Sequence, residues 1–209
     1  MGERVCIHAN RLPNQRHWAA GLKAAFLANG FECEISEDPQ KESDIHVVLG
    51  PHFAKRYHLN HKTILLDRCY YRGDPEHISL GWMNPDGSRS FYKGEGRDPP
   101  TVKPMKTGDK TLFLADWRGP IEVADTVRYH PADHDATETL QEAISRHDVA
   151  IGYGTTALVE AALEGLRIAC KDPQHILNQH DWLNLLPYAD WAYDELTDAV
   201  AFLIENPSA

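Results

Sequence analysis

Cysteine is scarce and scattered. Cys6, Cys33, Cys69 and Cys170 are the only four in 209 residues; with no CxxC pair and no zinc-type spacing, they argue against a disulfide framework and a structural metal. No run approaches the ~20 consecutive apolar residues of a membrane span, and MGERVCIHAN lacks the apolar core of a signal peptide. Those absences predict a cytoplasmic protein. Positive charge is in deficit, with 21 Lys+Arg against 31 Asp+Glu and a net charge of −10. Indiscriminate coating of DNA or anionic membrane rests on massed Lys and Arg, so that class is excluded.

What is present describes a globular chain, 42% apolar and long enough for one large domain or two small ones. The charge is split unevenly: residues 1–105 carry 14 basic and 13 acidic side chains, residues 106–209 carry 7 and 18. Two halves with different tasks are expected, residues 1–105 and residues 106–209.

RVCIH (4–8), FECEIS (31–36), DIHVVLG (44–50) and KTILLD (62–67) read as strands. A helix from an Asn14 N-cap to Asn29-Gly30 carries Trp18, Leu22, Ala25 and Phe26 at helical spacing, and a short helix is expected near 52–58. ISLGWM and SRSFY around Asn84-Pro85-Asp86-Gly87 predict a hairpin; GEGRDPPTVKPMKTGD (94–109), rich in Gly and Pro, predicts a linker. The alternation restarts with TLFLAD (111–116) and DTVRYHP (125–131). A helix capped by Asp135 and Glu138 follows, with Leu140, Ala143 and Ile144 as its apolar face. Then come DVAIGYG (148–154), the helix TTALVEAALEG, RIACKDP (167–173) and a last helix, DELTDAVAFLIEN, capped by Asp194 with Leu196, Val200 and Leu203 as its stripe. Strands alternating with helices predict α/β architecture: two small Rossmann-like layers facing each other across a cleft. The aromatic stretch 182–193, with Trp182, Tyr188, Trp191 and Tyr193, is expected to pack rather than to cage a ligand.

The most informative stretch is Asp148–Pro173. Gly152, Gly154, Thr155 and Thr156 lie between a strand and a helix, where backbone N–H groups can meet a phosphate; Glu160, one turn on, can reach a ligand hydroxyl. The alternative is a tight βα turn with Thr155 or Thr156 as an N-cap, since GYGTT matches neither the GxGxxG nor the GxxxxGK[ST] pattern. In the first half His52–Arg72 interleaves Lys55, Arg56, Arg68 and Arg72 with Tyr70 and Tyr71, a composition suited to stacking and anion contacts, although a solvated helix face before a buried strand has the same composition. His8 and Asp67 end strands of the first layer and Asp116 ends the first strand of the second; ligands gather at such ends, which makes these three the candidate proton acceptors. Arg118, Arg128 and Lys171 are the cationic side chains available in this half for an anionic ligand. The pairs His130/His134 and His175/His180 follow no recognised metal-ligand spacing.

In order and content, residues 110–190 resemble the C-terminal, donor-binding half of GT-B-type glycosyltransferases. Arg128-Tyr129-His130-Pro131 closes a strand, a helix with Thr139-Leu140-Gln141-Glu142 follows, and then come Gly-Tyr-Gly-Thr-Thr-Ala-Leu-Val-Glu-Ala and a Gly-Leu-Arg-Ile strand. Leu66-Asp67-Arg68-Cys69-Tyr70 and Ser79-Leu80-Gly81-Trp82 are similar to elements of a short glycosyltransferase-like group seen in phage and bacterial genomes. The chain departs from many such enzymes in having no glycine between His8 and Gln15 and in its shortness. The resemblance implies that His130, Thr155, Thr156 and Glu160 face a nucleotide-sugar donor, with no cofactor or metal required. It implies sugar transfer to an acceptor hydroxyl, either on a hydroxymethylated base in phage-type DNA or on a surface glycan. A non-catalytic nucleotide- or sugar-binding protein and a sugar-nucleotide epimerase are the competing expectations.

Overall fold

The computed structural model describes residues 3–9, 13–50, 62–71, 76–116, 119–129 and 138–207. The chain forms two compact units, Met1–Glu95 with Tyr188–Ala209, and Gly96–Pro187. The segment from Tyr188, grouped with the second half in the sequence reading, thus joins the first.

In the first unit β1 (Arg4–His8), β2 (Glu32–Ser36), β3 (Ile45–Leu49) and β4 (Thr63–Arg68) pair in parallel in the order β2-β1-β3-β4. β5 (His77–Trp82) adds antiparallel to β4, and a three-residue strand, β10 (Asp190–Ala192), adds antiparallel to β5. Alternation along paired strands puts Val5, Ile7, Ile45, Val47, Ile64, Leu66, Leu80 and Trp82 on one face. That face is buried against α1 (Pro13–Ala28) and α5 (Leu196–Glu205) through Trp18, Leu22, Phe26, Leu196, Val200 and Leu203. The Trp82 indole N–H donates to the Leu203 carbonyl at 2.7 Å, tying sheet to helix. The opposite face is mixed: Cys6, Val48 and Leu65 are buried there, and His8, His46 and Asp67 share it.

In the second unit β6 (Thr111–Leu114), β7 (Thr126–Arg128), β8 (Val149–Gly152) and β9 (Arg167–Cys170) are all parallel, in the order β7-β6-β8-β9. Leu112, Leu114 and Ala150 pack on α2 (Leu140–Ser145) and α3 (Ala157–Leu163) through Ala143, Ile144, Leu158 and Ala161, and α4 (Trp182–Ala189) follows β9 in the chain. The expected α/β class is therefore observed as two Rossmann-like layers, a mixed six-stranded sheet and a parallel four-stranded one.

Several local expectations are corrected. α1 begins at Pro13, with Asn14 inside it, because proline suits the first helical position, where no N–H is needed. The capping box of α2 is Thr139 with Glu142, not Asp135 with Glu138; the Thr139 hydroxyl accepts from Glu142 N while the Glu142 carboxylate accepts from Thr139 N at 2.7 Å. Before α5, Tyr193–Glu195 form a 3-10 turn, and Glu195 rather than Asp194 closes it by accepting from Ala192 N at 2.7 Å. Asn84–Gly87 does form a turn, with Gly87 N donating to Asn84 O at 2.8 Å. Its return arm makes one bridge, Met83 to Arg89, because β4 and β10 already occupy both edges of β5. Of the four thiols, Cys6 and Cys69 are buried and Cys33 and Cys170 half-buried. The Gly/Pro stretch has no regular structure from Gly96 to Lys110, yet it is fastened: Lys103 N donates to Leu163 O and Lys106 N to Gly165 O, both at 2.8 Å. The Lys106 ammonium also donates to the carbonyls of Ile144, Ser145 and His147, satisfying acceptors at the end of α2. The helix expected near 52–58 lies outside the described residues.

Candidate functional site

From β6 the chain passes to β7 on one side and later returns as β8 on the other, so neighbouring strands leave the sheet in opposite directions between β6 and β8. In parallel α/β sheets the loops diverge there and leave a crevice at the carboxyl ends of the strands. Asp116, after β6, and Gly152–Thr156, after β8, stand on either side of that point, and the Gly154 N–H is directed at Asp116 Oδ2 at 3.4 Å. The other side of the loop is held by β9's continuation. Lys171 N donates to Gly152 O (2.8 Å), Asp172 N to Tyr153 O (3.0 Å) and the Cys170 thiol to Tyr153 O (3.2 Å). Gly152 is needed for packing: a Cβ there would stand 3.1 Å from the Leu114 carbonyl.

The two hydroxyls play different parts. Thr155 Oγ1 accepts from Ala157 N at 3.3 Å, whereas Thr156 occupies the N-cap position without a side-chain cap bond. Glu160 projects from α3 and its carboxyl is pushed up by burial, an effect opposed by a hydrogen bond from Gln141 (3.3 Å) and by attraction to Arg128. Arg128 ends β7 and its Nε is buried. Lys171 pairs with Glu122 at 3.1 Å. Gly152, Gly154, Thr155, Glu160, Arg128 and Asp116 are thus brought to one edge of the sheet, and Lys171 joins them already paired. His130 and Arg118 lie outside the described residues.

The first unit repeats the same strand order, so its divergence point lies between β1 and β3. His8 stands there, 8% exposed, with its Nε2 2.9 Å from His46 Nδ1 and the two rings stacked at 5.2 Å and 18°. Burial, and then the neighbouring His46, push the His8 imidazole down to about 4. Asp67 shares this face but β3 lies between it and His8; its Oδ1 accepts from Arg68 N at 2.8 Å. His8 thus meets His46 on the neighbouring strand. Beyond β4, the fully buried Asp190 carboxylate of β10 accepts from Tyr70 N (2.7 and 2.9 Å) and Tyr71 N (3.0 Å). The Tyr70 ring meets Phe91 edge-on at 5.5 Å, with the Arg89 guanidinium 5.9 Å from its centre. Tyr70 and Tyr71 are thus gathered with Arg89 and Phe91, while Arg68 is exposed and, by alternation, turned to the helix-covered face. Lys55, Arg56 and Arg72 lie outside the described residues.

Sequence reasoning missed His46, Gln141, Arg89, Phe91 and Asp190. Only His46 carried a local signal, a titratable side chain inside the apolar run IHVVL. The others matter through neighbours distant in sequence. Among the described residues no group of three or more His, Cys, Asp or Glu is arranged to hold a metal, and no helix is long and apolar enough to cross a membrane. No protein-family model and no curated protein matches this chain.

Proposed function

We propose that the protein is a glycosyltransferase that takes a nucleotide-sugar donor at the second unit and an acceptor hydroxyl at the first. One observation carries the reading: the Gly152–Thr156 loop, Asp116, Arg128 and Glu160 converge at the strand-divergence point of a parallel sheet, where such sheets bind ligands. The ordered resemblance of residues 110–190 to a donor-binding half supports it. In the proposed complex Arg128 offsets charge on the diphosphate, Thr155 bonds to it, and Glu160 accepts from a ribose or sugar hydroxyl. The loop's glycines let the ligand approach the backbone. Chemically, the acceptor oxygen bonds to the anomeric carbon, the bond from that carbon to the diphosphate oxygen breaks, and the hydroxyl proton passes to a base on the protein.

The acceptor we favour is a hydroxymethylated base in phage-type DNA, because Tyr70, Phe91 and Arg89 form a stacking and cationic group on a near-neutral half. Calorimetry with a panel of nucleoside diphosphates and nucleotide sugars tests the donor reading. Binding should appear for at least one nucleotide and weaken about tenfold or more in Thr155→Ala and in Arg128→Ala. Binding by none of them, or binding indifferent to both substitutions, overturns it. Oligonucleotide affinity should fall steeply with salt if phosphates are contacted; an affinity insensitive to salt removes DNA as the acceptor.

A further inference from the structure

The shortest route from β6 to its neighbour β7 stays on their side of the sheet, and the chain does not take it. In the strand order β7-β6-β8-β9 the connection reaches the other way. Asp116 Oδ2 faces the Gly154 N–H after β8 at 3.4 Å. Gly119 lies against the Tyr153 ring of the same loop, so closely that a Cβ at Gly119 would run into the ring. Glu122 reaches farthest, to the Lys171 ammonium just past β9, at 3.1 Å. Asp125 then turns back, accepting from Thr111 N at 2.8 Å before β7 begins. This detour has no regular structure and buries little of its own. Ile121 is 52% exposed and Val123 fully exposed, and an ion pair as open as Glu122–Lys171 adds little to stability. What the segment does is lay carboxylates on groups that an anion would use: Asp116 on a loop N–H and Glu122 on Lys171.

We propose that Gly119–Val123 is an autoinhibitory strap over the candidate donor site, with Glu122 standing in for a ligand phosphate on Lys171. The inference rests on the donor reading of that site and adds its regulation. In the empty protein the Glu122 carboxylate holds the Lys171 ammonium, and the Tyr153 ring seats the strap on Gly119. A diphosphate that takes Lys171 for its own oxygens brings more than one negative charge beside Glu122. Like charges so close repel, so the ligand and the strap contact exclude each other. Lys171 therefore changes partner on binding, Glu122 turns to water, and Gly119 leaves the Tyr153 ring. Gly119 and Pro120 suit the device: glycine lets the ring lie on the backbone, and proline stiffens the turn away from it. The coupling is reciprocal, so whatever weakens the strap strengthens the ligand by the same factor.

Calorimetry of the full chain with inorganic pyrophosphate tests the exchange. Glu122→Gln should bind it about two- to fivefold more tightly than the wild type, the worth of an exposed ion pair, and Lys171→Gln more weakly. Adding Glu122→Gln to Lys171→Gln should then change nothing, because Glu122 acts through that ammonium. An equal gain in the double substitution means general charge repulsion and overturns the proposal. Proton NMR reads the strap itself. Protons held against an aromatic ring face are shifted upfield, so a Gly119 Hα signal should lie upfield in the free protein and return toward its ordinary position as pyrophosphate saturates. A signal that stays, or moves further upfield, means that the strap does not lift and overturns the proposal. Gly119→Ala, which displaces a side-chain ring and no backbone, should bind more tightly with Glu122 still in place. Pyrophosphate or nucleotide binding that none of these substitutions alters removes the strap and leaves the transferase reading standing. Binding of neither pyrophosphate nor any nucleoside diphosphate by the wild type, Glu122→Gln or Gly119→Ala removes both.

Discussion

His8 shows what one buried imidazole does to the whole protein's response to acid. Its unfolded side chain titrates near 6.5 and the folded one near 4, so between those values the unfolded chain binds more protons. Stability is then fully present above about 6.5 and is lost as the pH falls toward 4, by about 3 kcal/mol at ~1.36 kcal/mol per pKa unit. Urea denaturation of the wild type and His8→Gln between pH 7 and 4 checks this; the substituted protein should lack most of the decline. Cys6 offers a second reading at the same scale. Burial pushes its thiol up to about 12 and that of Cys33 up to about 11, and only thiolates react readily. Alkylation at pH 8 should leave Cys6 unmodified in the native protein and proceed on unfolding; rapid native labelling contradicts its burial.

Elements here are held by residues that look incidental in the sequence. Gly165 follows α3 with φ +83°, and a Cβ at that position would run into the Pro104 carbonyl of the Gly/Pro strap. Both the left-handed backbone and the close approach need glycine. Gly165→Ala should therefore cost more than the ~1–2 kcal/mol of left-handed strain alone, and limited proteolysis should then cut within 98–108, where the wild type resists. Thr139→Ala, which removes one side of the α2 capping box, should cost about 1 kcal/mol by thermal denaturation. The strap's composition predicted a linker because Gly and Pro forbid regular structure; its hydrogen bonds go instead to carbonyls at Leu163, Gly165 and the end of α2.

At the scale of the whole molecule, the C-terminal segment completes the first unit. Tyr188, Trp191, Leu196, Val200 and Leu203 are all at most 4% exposed in its core, and β10 closes the outer edge of β5. Each such side chain contributes about 1.5–3 kcal/mol on burial, so together they are comparable to the roughly 5–15 kcal/mol by which domains are stable. A chain ending at Pro187 should lose the cooperative unfolding of the first unit, measured by near-ultraviolet circular dichroism or amide NMR, while signals of residues 111–170 persist. A first unit that still unfolds cooperatively without those residues would contradict this.

The sequence by itself determined the strands β1–β4 and β6–β9, the core stripes of α1 and α5, and the glycine-hydroxyl loop at 152–156, because period-two and period-3.6 hydrophobicity, glycine stops and turn chemistry act over a few residues. It could not determine strand order, and strand order decides both divergence points. Only the tertiary structure decided that His8 meets His46, that Asp116 faces Gly154, that Asp190 anchors Tyr70 and Tyr71 from 120 residues away, and that the chain's end belongs to its beginning. Those are pairings between distant segments, set by which buried faces and unpaired strand edges must be satisfied together. The split in charge came from composition; the placement of the candidate site's polar groups at the carboxyl ends of parallel strands came from the fold.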